Sequence, residues 1–134
     1  MFSKLPMYQR QGKIAYKEDL SQTELLAIHL NFPHKSFKSV HIGGTNGKGS
    51  TAHMIASVVQ ESGYKVGLYT SPHFSDFRER ILINGNKISE EFIIEFVKKN
   101  KDFFDLNNLS FFEMTVGMAF DYFSKFEVDI AIIE

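Results

Sequence analysis

The segment Ser39–Met54, SVHIGGTNGKGSTAHM, constrains the fold more than any other part of the chain. It reads as a short apolar strand, a glycine-rich turn carrying one lysine, and the start of a helix. Glycines at 43, 44, 47 and 49 leave backbone N–H groups unobstructed and permit positive φ. A helix opening directly after them adds a positive dipole end, so the turn favours an anion. Lys48 would place its ammonium against nucleotide β- and γ-phosphates, with Ser50 or Thr51 offering a hydroxyl to phosphate or Mg2+. The spacing departs from G-x-x-x-x-G-K-[ST], because Gly43 lies only four residues before Gly47 and Gly49 separates Lys48 from Ser50. An ordinary βα turn with a solvated lysine is the alternative; the flanking strand and helix favour the phosphate cradle.

The rest of the chain supplies a sheet for this turn. Helical spacing from Gly49 onward ends at Gly63, and KVGLYTS follows as a second strand, completing a βαβ unit with parallel strands. Upstream, Ser21 and Glu24 have capping-box spacing, Leu20 and Leu25 staple spacing, and Pro33 stops that helix. Asn84-Gly85 between two short β-like runs predicts a tight hairpin. Ser89 caps a third helix with Glu90 and Glu91 in its first turn and Lys98, Lys99 and Lys101 near its end; Phe92, Ile93, Phe96 and Val97 form its apolar face. LSFFEMTVGMAFDYF reads as a buried helix, and VDIAIIE as a central parallel strand. The expected fold class is α/β, a three-layer parallel-sheet phosphate-loop domain. A chain that stops immediately after a buried strand is expected to be incomplete.

Composition narrows the partners. Fifteen basic and sixteen acidic residues leave a net charge of -1, so no strong field draws nucleic acid or a membrane surface. No cysteine is present, which excludes disulfides and thiolate metal sites and suits a reducing cytoplasm. The first residues lack an apolar signal core, and no run reaches membrane-spanning length. His29, His34, His41, His53 and His73 show no metal-ligand spacing; His73, in the irregular loop after Ser71, is the one near the expected site.

Ligands of open parallel sheets sit at the carboxyl ends of the strands. Ser71 ends the second expected strand and Glu134 the last, so both should lie beside the phosphate loop. An acid there resembles the metal-orienting acid of phosphate-loop enzymes, and Ser71, Glu134, water and phosphate make an oxygen set suited to Mg2+. Ser71 as a turn initiator and Glu134 as a solvated chain end are the alternatives. Ser110 and Glu113 form a capping box with Leu109 and Met114 as its staple, which accounts for both without a ligand. Phe111 and Phe112 are either core or a flat face for an aromatic ligand. Arg78, Glu79 and Arg80 read as a solvated cluster, with Arg80 a candidate for a substrate carboxylate.

GGTNGKGST, GLYTSPHFSDFRERILING, SFFEMT and VDIAIIE, in this order and spacing, resemble the folylpolyglutamate synthase/dihydrofolate synthase family, which belongs with the Mur ligases. The resemblance covers nearly the whole chain, and Gly49 after the loop lysine is usual in that family. It implies residues 1–134 are the N-terminal part of an ATP-binding ligase domain of Mur ligase central-domain type. The implied reaction is ATP-dependent addition of L-glutamate to dihydropteroate or folate through an acyl phosphate. Asn46, Gly47, Lys48, Gly49 and Ser50 would bind ATP phosphates, Lys48 being catalytic. Ser71 and Glu134 would bind Mg2+, and Ser110, Phe111, Phe112 and Glu113 would line the pterin pocket. The loop after Ser71 would be mobile.

By the same resemblance, the protein would be cytoplasmic and a monomer at full length, with small-molecule substrates and neither nucleic-acid nor membrane partners. Family members are about three times longer, so the chain is expected to begin inside a helix, to lack the remaining metal and glutamate ligands, and to be inactive alone. A Mur-type ligase acting on a cell-wall precursor is the nearest alternative, disfavoured by Gly49 where such enzymes usually place threonine or serine. A non-catalytic phosphate-loop module and a phosphotransferase are the others.

Overall fold

The computed structural model describes residues 20–134; the expected entry inside a helix lies outside them. Among these residues five strands form one mixed sheet: β1 (Lys38–His41), β2 (Val66–Tyr69), β3 (Ile81–Ile83), β4 (Asn86–Lys87) and β5 (Ile130–Ile133), in the order β1-β5-β2-β3-β4. β5 pairs in parallel with both β1 and β2. Its unbroken apolar run is what a strand covered on both faces requires, and Ala131 and Ile132 are fully buried. The βαβ unit is therefore parallel as expected, with β5 inserted between its two strands. The sheet is not parallel throughout, because β3 and β4 add antiparallel to β2. Asn84 and Gly85 turn that hairpin with φ of 47° and 76°, the positive pair a type I′ turn demands.

Among the described residues four α-helices cover the sheet: α1 (Ser21–His29), α2 (Lys48–Glu61), α3 (Glu90–Asn107) and α4 (Phe111–Lys125). Alternation along the strands separates two cores. Ala52 and Ala56 of α2 pack with Val66, Leu68 and Ile132. The other core joins Tyr69, Ile81, Ile83 and Ala131 to Leu26 of α1, Phe92, Phe96 and Phe104 of α3, and Met114, Met118 and Phe123 of α4. Two glycines allow the close approaches within it. A Cβ at Gly67 would stand 2.8 Å from the Phe123 ring, and one at Gly117 would stand 2.5 Å from Leu26 Cδ2.

Local expectations met different fates. Ser89 accepts the Phe92 N–H at 3.2 Å and caps α3, and Gly63 takes φ of 90° just past α2. Ser21 does not cap α1: Leu20 is the N-cap, in helical conformation and without a side-chain cap, and exposed Leu20 and Leu25 make no staple. α3 continues through Asn107, so its lysines fall mid-helix and no basic residue occupies its last turn. The extension follows a buried stripe, Phe96, Asn100 and Phe104, at four-residue spacing. No helix among the described residues is long and apolar enough to cross a membrane.

Candidate phosphate and metal site

Strand β1 gives way to the glycine turn after His41, and Ile42 still donates its N–H to Ile133 O at 2.7 Å. Gly47, with φ of 74°, is the N-cap of α2. That left-handed geometry is what a glycine supplies without strain. Asn46, Gly47 and Ser50 are exposed, while Lys48 and Gly49 are half-buried. Lys48 is the first residue of α2 rather than the last of the turn, and the first N–H groups of the helix lack intrahelical partners there.

The sheet edge brings the expected acid to this lysine. Glu134 continues the β5 ladder by donating its N–H to Tyr69 O at 2.9 Å. Its side chain, 6% exposed, places Oε1 3.7 Å from Lys48 Nζ. Its Oε2 accepts the Ser71 N–H at 3.2 Å. Ser71 lies two residues past the end of β2, so the carboxylate bridges the loops that follow β1 and β2. A Cβ on Gly49 would stand 3.6 Å from Glu134 Oε2; alanine fits there, but a longer side chain in that direction meets the carboxylate. Glu134 and Ser71 carry hard oxygens beside the glycine turn, a donor set that would fit Mg2+, an ion that keeps several waters and phosphate oxygens. Among the described residues no group of three or more His, Cys, Asp or Glu forms an all-protein metal cage.

The loop after Ser71 is clamped by carboxylates, against the expectation of a solvated charged cluster. Glu79 accepts the N–H groups of Phe74 at 2.9 Å, Ser75 at 3.4 Å and Asp76 at 3.2 Å, plus the Ser75 hydroxyl at 2.9 Å. These bonds hold its carboxyl down at about 2. Asp76 accepts the Arg78 N–H at 2.9 Å, and the Arg78 guanidinium holds its carboxyl well below the usual range. Lys87 of β4 reaches Asp76 at 3.3 Å, and Arg78 reaches Glu90 at the start of α3 at 3.2 Å. Arg80 is buried, at 4% exposure. Its Nε donates to His73 Nδ1 at 2.8 Å, and its guanidinium lies 5.4 Å from the Phe111 ring centre.

The start of α4 confirms its capping box: Ser110 Oγ accepts the Glu113 N–H at 3.2 Å, and Glu113 Oε2 accepts the Ser110 N–H at 2.7 Å. The phenylalanine pair divides. Phe111 is buried against Phe77, whereas Phe112 is 55% exposed, its ring edge-on to Tyr69 at 6.5 Å. The sequence gives no sign of the contact Tyr69 makes: its ring is fully buried and its hydroxyl meets the Arg80 guanidinium. Within an apolar strand run it carries no signal beyond being tyrosine in a position that needs only a ring.

Parallel strands that cross over to a helix through an open glycine turn, with a lysine facing the acid that closes the neighbouring strand, are the architecture of phosphate-loop α/β proteins. No family model matches the sequence. The chain is 43% identical over 114 residues to a probable bifunctional folylpolyglutamate synthase/dihydropteroate synthase of Haloferax volcanii, covering 81% of this chain and 14% of that protein. It is 39% identical over 129 residues to the dihydrofolate synthase/folylpolyglutamate synthase of Bacillus subtilis, covering 91% and 30% respectively. The folylpolyglutamate synthase structure from Thermotoga maritima superposes with a TM-score of 0.83 at 40% identity, over 95% of this chain and 32% of that one. The Mycobacterium tuberculosis enzyme complexed with ADP gives 0.82 at 32% identity, over 91% and 30%. A Yersinia pestis bifunctional enzyme complexed with AMPPNP and Mn ion gives 0.81 at 28%, over 89% and 29%. The chain belongs to the folylpolyglutamate synthase/dihydrofolate synthase family, with the α/β fold of its Mur-ligase-like members. It spans about a third or less of the length of these relatives.

Proposed function

We propose that this chain carries the phosphate- and metal-holding part of an ATP-dependent amide ligase that adds L-glutamate to dihydropteroate, folate or both. The convergence of Lys48, Ser71 and Glu134 beside the glycine turn carries this reading. Relatives complexed with ADP, and with AMPPNP and Mn ion, support it.

A carboxylate is a poor acyl donor because its leaving group would be oxide. Transfer of the γ-phosphoryl group of ATP to the substrate carboxylate forms an acyl phosphate and releases ADP. The glutamate amine then attacks the acyl carbon, forms the amide bond, loses a proton and expels inorganic phosphate. The protein's task is to bring anionic oxygens together and offset their charge. Lys48, the N–H groups of the turn and the N-terminus of α2 do so at the phosphates; Asn46, Gly47, Gly49 and Ser50 shape that cradle. Glu134 and Ser71 would hold Mg2+, which when bound supplies further charge neutralisation at the phosphate oxygens. Phe112 offers an exposed ring to the pterin, while Ser110, Phe111 and Glu113 support it through the capped start of α4.

The setting is cytoplasmic and the full-length enzyme monomeric in this proposal, with no nucleic-acid or membrane partner. Calorimetric titration of the chain with ATP and Mg2+ tests it. Binding that depends on both Lys48 and Glu134 supports it; nucleotide binding indifferent to Glu134 and to Mg2+ points to a non-catalytic module instead.

A further inference from the structure

Thr70 is a buried polar residue whose hydroxyl the fold does not use. It is 8% exposed and sits between Tyr69, the last residue of β2, and Ser71. Its N–H donates to Arg80 O at 3.0 Å. Its hydroxyl has no hydrogen-bond partner among the described residues. A hydroxyl withdrawn from water without a partner costs free energy, and a valine of the same shape avoids that cost. Stability therefore gives no reason for this oxygen.

The direction of the hydroxyl follows from the strands. Val66 and Leu68 face the α2 side of the sheet, and Tyr69 faces the α4 side. Thr70 extends the β2 ladder by one residue, since its N–H continues the pairing of β2 with β3. Alternation then turns its side chain to the α2 face. On β5, Ile132 faces α2 and Ile133 packs on the opposite side, which turns Glu134 to the α2 face as well. The parallel register that pairs Tyr69 with Ile133 sets Thr70 beside Glu134, one strand spacing of about 5 Å away. Glu134 in turn places Oε1 3.7 Å from Lys48 Nζ. Because β5 lies between β1 and β2, a cation, an acid and an unused hydroxyl follow one another along one face of the sheet edge.

That row has a direction. At its β1 end are the glycine turn and the N-terminus of α2, whose first N–H groups favour an anion. At its β2 end the exposed Phe112 ring lies against Tyr69, on the side from which an aromatic acyl substrate would arrive. A polyphosphate held at the turn and pointing toward that substrate carries its terminal phosphoryl group past Glu134 to Thr70.

We infer that the Thr70 hydroxyl donates a hydrogen bond to the terminal phosphoryl group of bound ATP and so distinguishes ATP from ADP. This rests on the ligase reading above. The terminal phosphoryl group is the part that is transferred, and a donor fixed by the sheet holds it in line with the incoming carboxylate. The inner phosphates remain with the turn, and Thr70 contributes nothing to them.

The test is calorimetric titration of the whole chain with ATP and with ADP, each with Mg2+, alongside thermal unfolding. The wild type is expected to prefer ATP by about tenfold or more, the effect of a hydrogen bond to a charged group. Thr70→Val is expected to lose that preference, to bind ADP as the wild type does, and to melt no lower. Thr70→Ser, which keeps the hydroxyl, is expected to retain the preference. Equal affinity of the wild type for ATP and ADP, or a preference that survives in Thr70→Val, overturns the proposal, while MgADP binding that depends on Lys48 and Glu134 still upholds the ligase reading. An equal loss of ATP and ADP affinity in Thr70→Val overturns it as well, by assigning the hydroxyl to the metal or the inner phosphates. If Thr70→Val melts lower or does not fold, the hydroxyl serves the fold and the proposal fails. Failure of the wild type to bind either nucleotide overturns both readings.

Discussion

Lys48 Nζ and Glu134 Oε1 lie 3.7 Å apart although 86 positions separate them in the chain. The contact exists because β5 inserts between β1 and β2, so the acid that ends β5 closes on the lysine that follows the turn after β1. With the Ser71 N–H on the other carboxylate oxygen, one buried acid joins the glycine turn to the loop that carries His73 and Arg80.

The loop clamp should be insensitive to mild acid. Hydrogen bonds from Phe74, Ser75 and Asp76 depress the Glu79 carboxyl to about 2. A depressed folded-state pKa contributes stability that is complete above the unfolded value and is lost as pH falls through the folded one. Amide exchange at Phe74–Asp76 is therefore expected to keep its protection down to the ordinary carboxylate range and to lose it between there and about pH 2. Glu79→Gln is expected to raise that exchange at neutral pH while leaving the β5 amides protected.

His73 should behave in the opposite functional sense with the same sign. Burial and the neighbouring Arg80 lower its pKa from 6.5, so the folded state favours the neutral ring that accepts from Arg80. The unfolded chain binds the proton first, and stability at this group falls as pH drops below 6.5. An NMR titration of the histidines is expected to show His73 titrating below 6.5, and Arg80→Gln is expected to move it upward.

Gly67→Ala and Gly117→Ala test the close packing of the α4 side. Their Cβ atoms would enter the Phe123 ring at 2.8 Å and Leu26 Cδ2 at 2.5 Å. Both neighbours are buried and can yield only by shifting an element, an overpacking cost of about 1–3 kcal/mol. Urea unfolding should show a lowered midpoint for each, with an unchanged slope.

Features governed by adjacent residues were legible in the sequence. The glycine turn into α2, the Asn84-Gly85 hairpin, the Ser89 cap and the Ser110–Glu113 box each depend on backbone chemistry within a few positions. The meeting of Ser71 with Glu134 was legible for a different reason: both follow the carboxyl ends of neighbouring parallel strands. Where tertiary packing decides, the reading failed. Ser21 has a capping pattern, but α1 starts a residue too early to use it. Arg80 looks in sequence like its half-buried neighbour Arg78, and only packing against elements such as the Phe111 ring makes it a buried cation.

The central claim, that the turn and the end of β5 form one metal-assisted phosphate site, is tested most directly by calorimetric ATP titration with and without Mg2+. Wild-type, Lys48→Ala and Glu134→Ala chains are compared. The account predicts Mg2+-dependent binding in the wild type, at least tenfold weaker binding in Lys48→Ala, and loss of the Mg2+ dependence in Glu134→Ala. ATP affinity identical across the three chains, or a Mg2+ dependence that survives removal of Glu134, would contradict it.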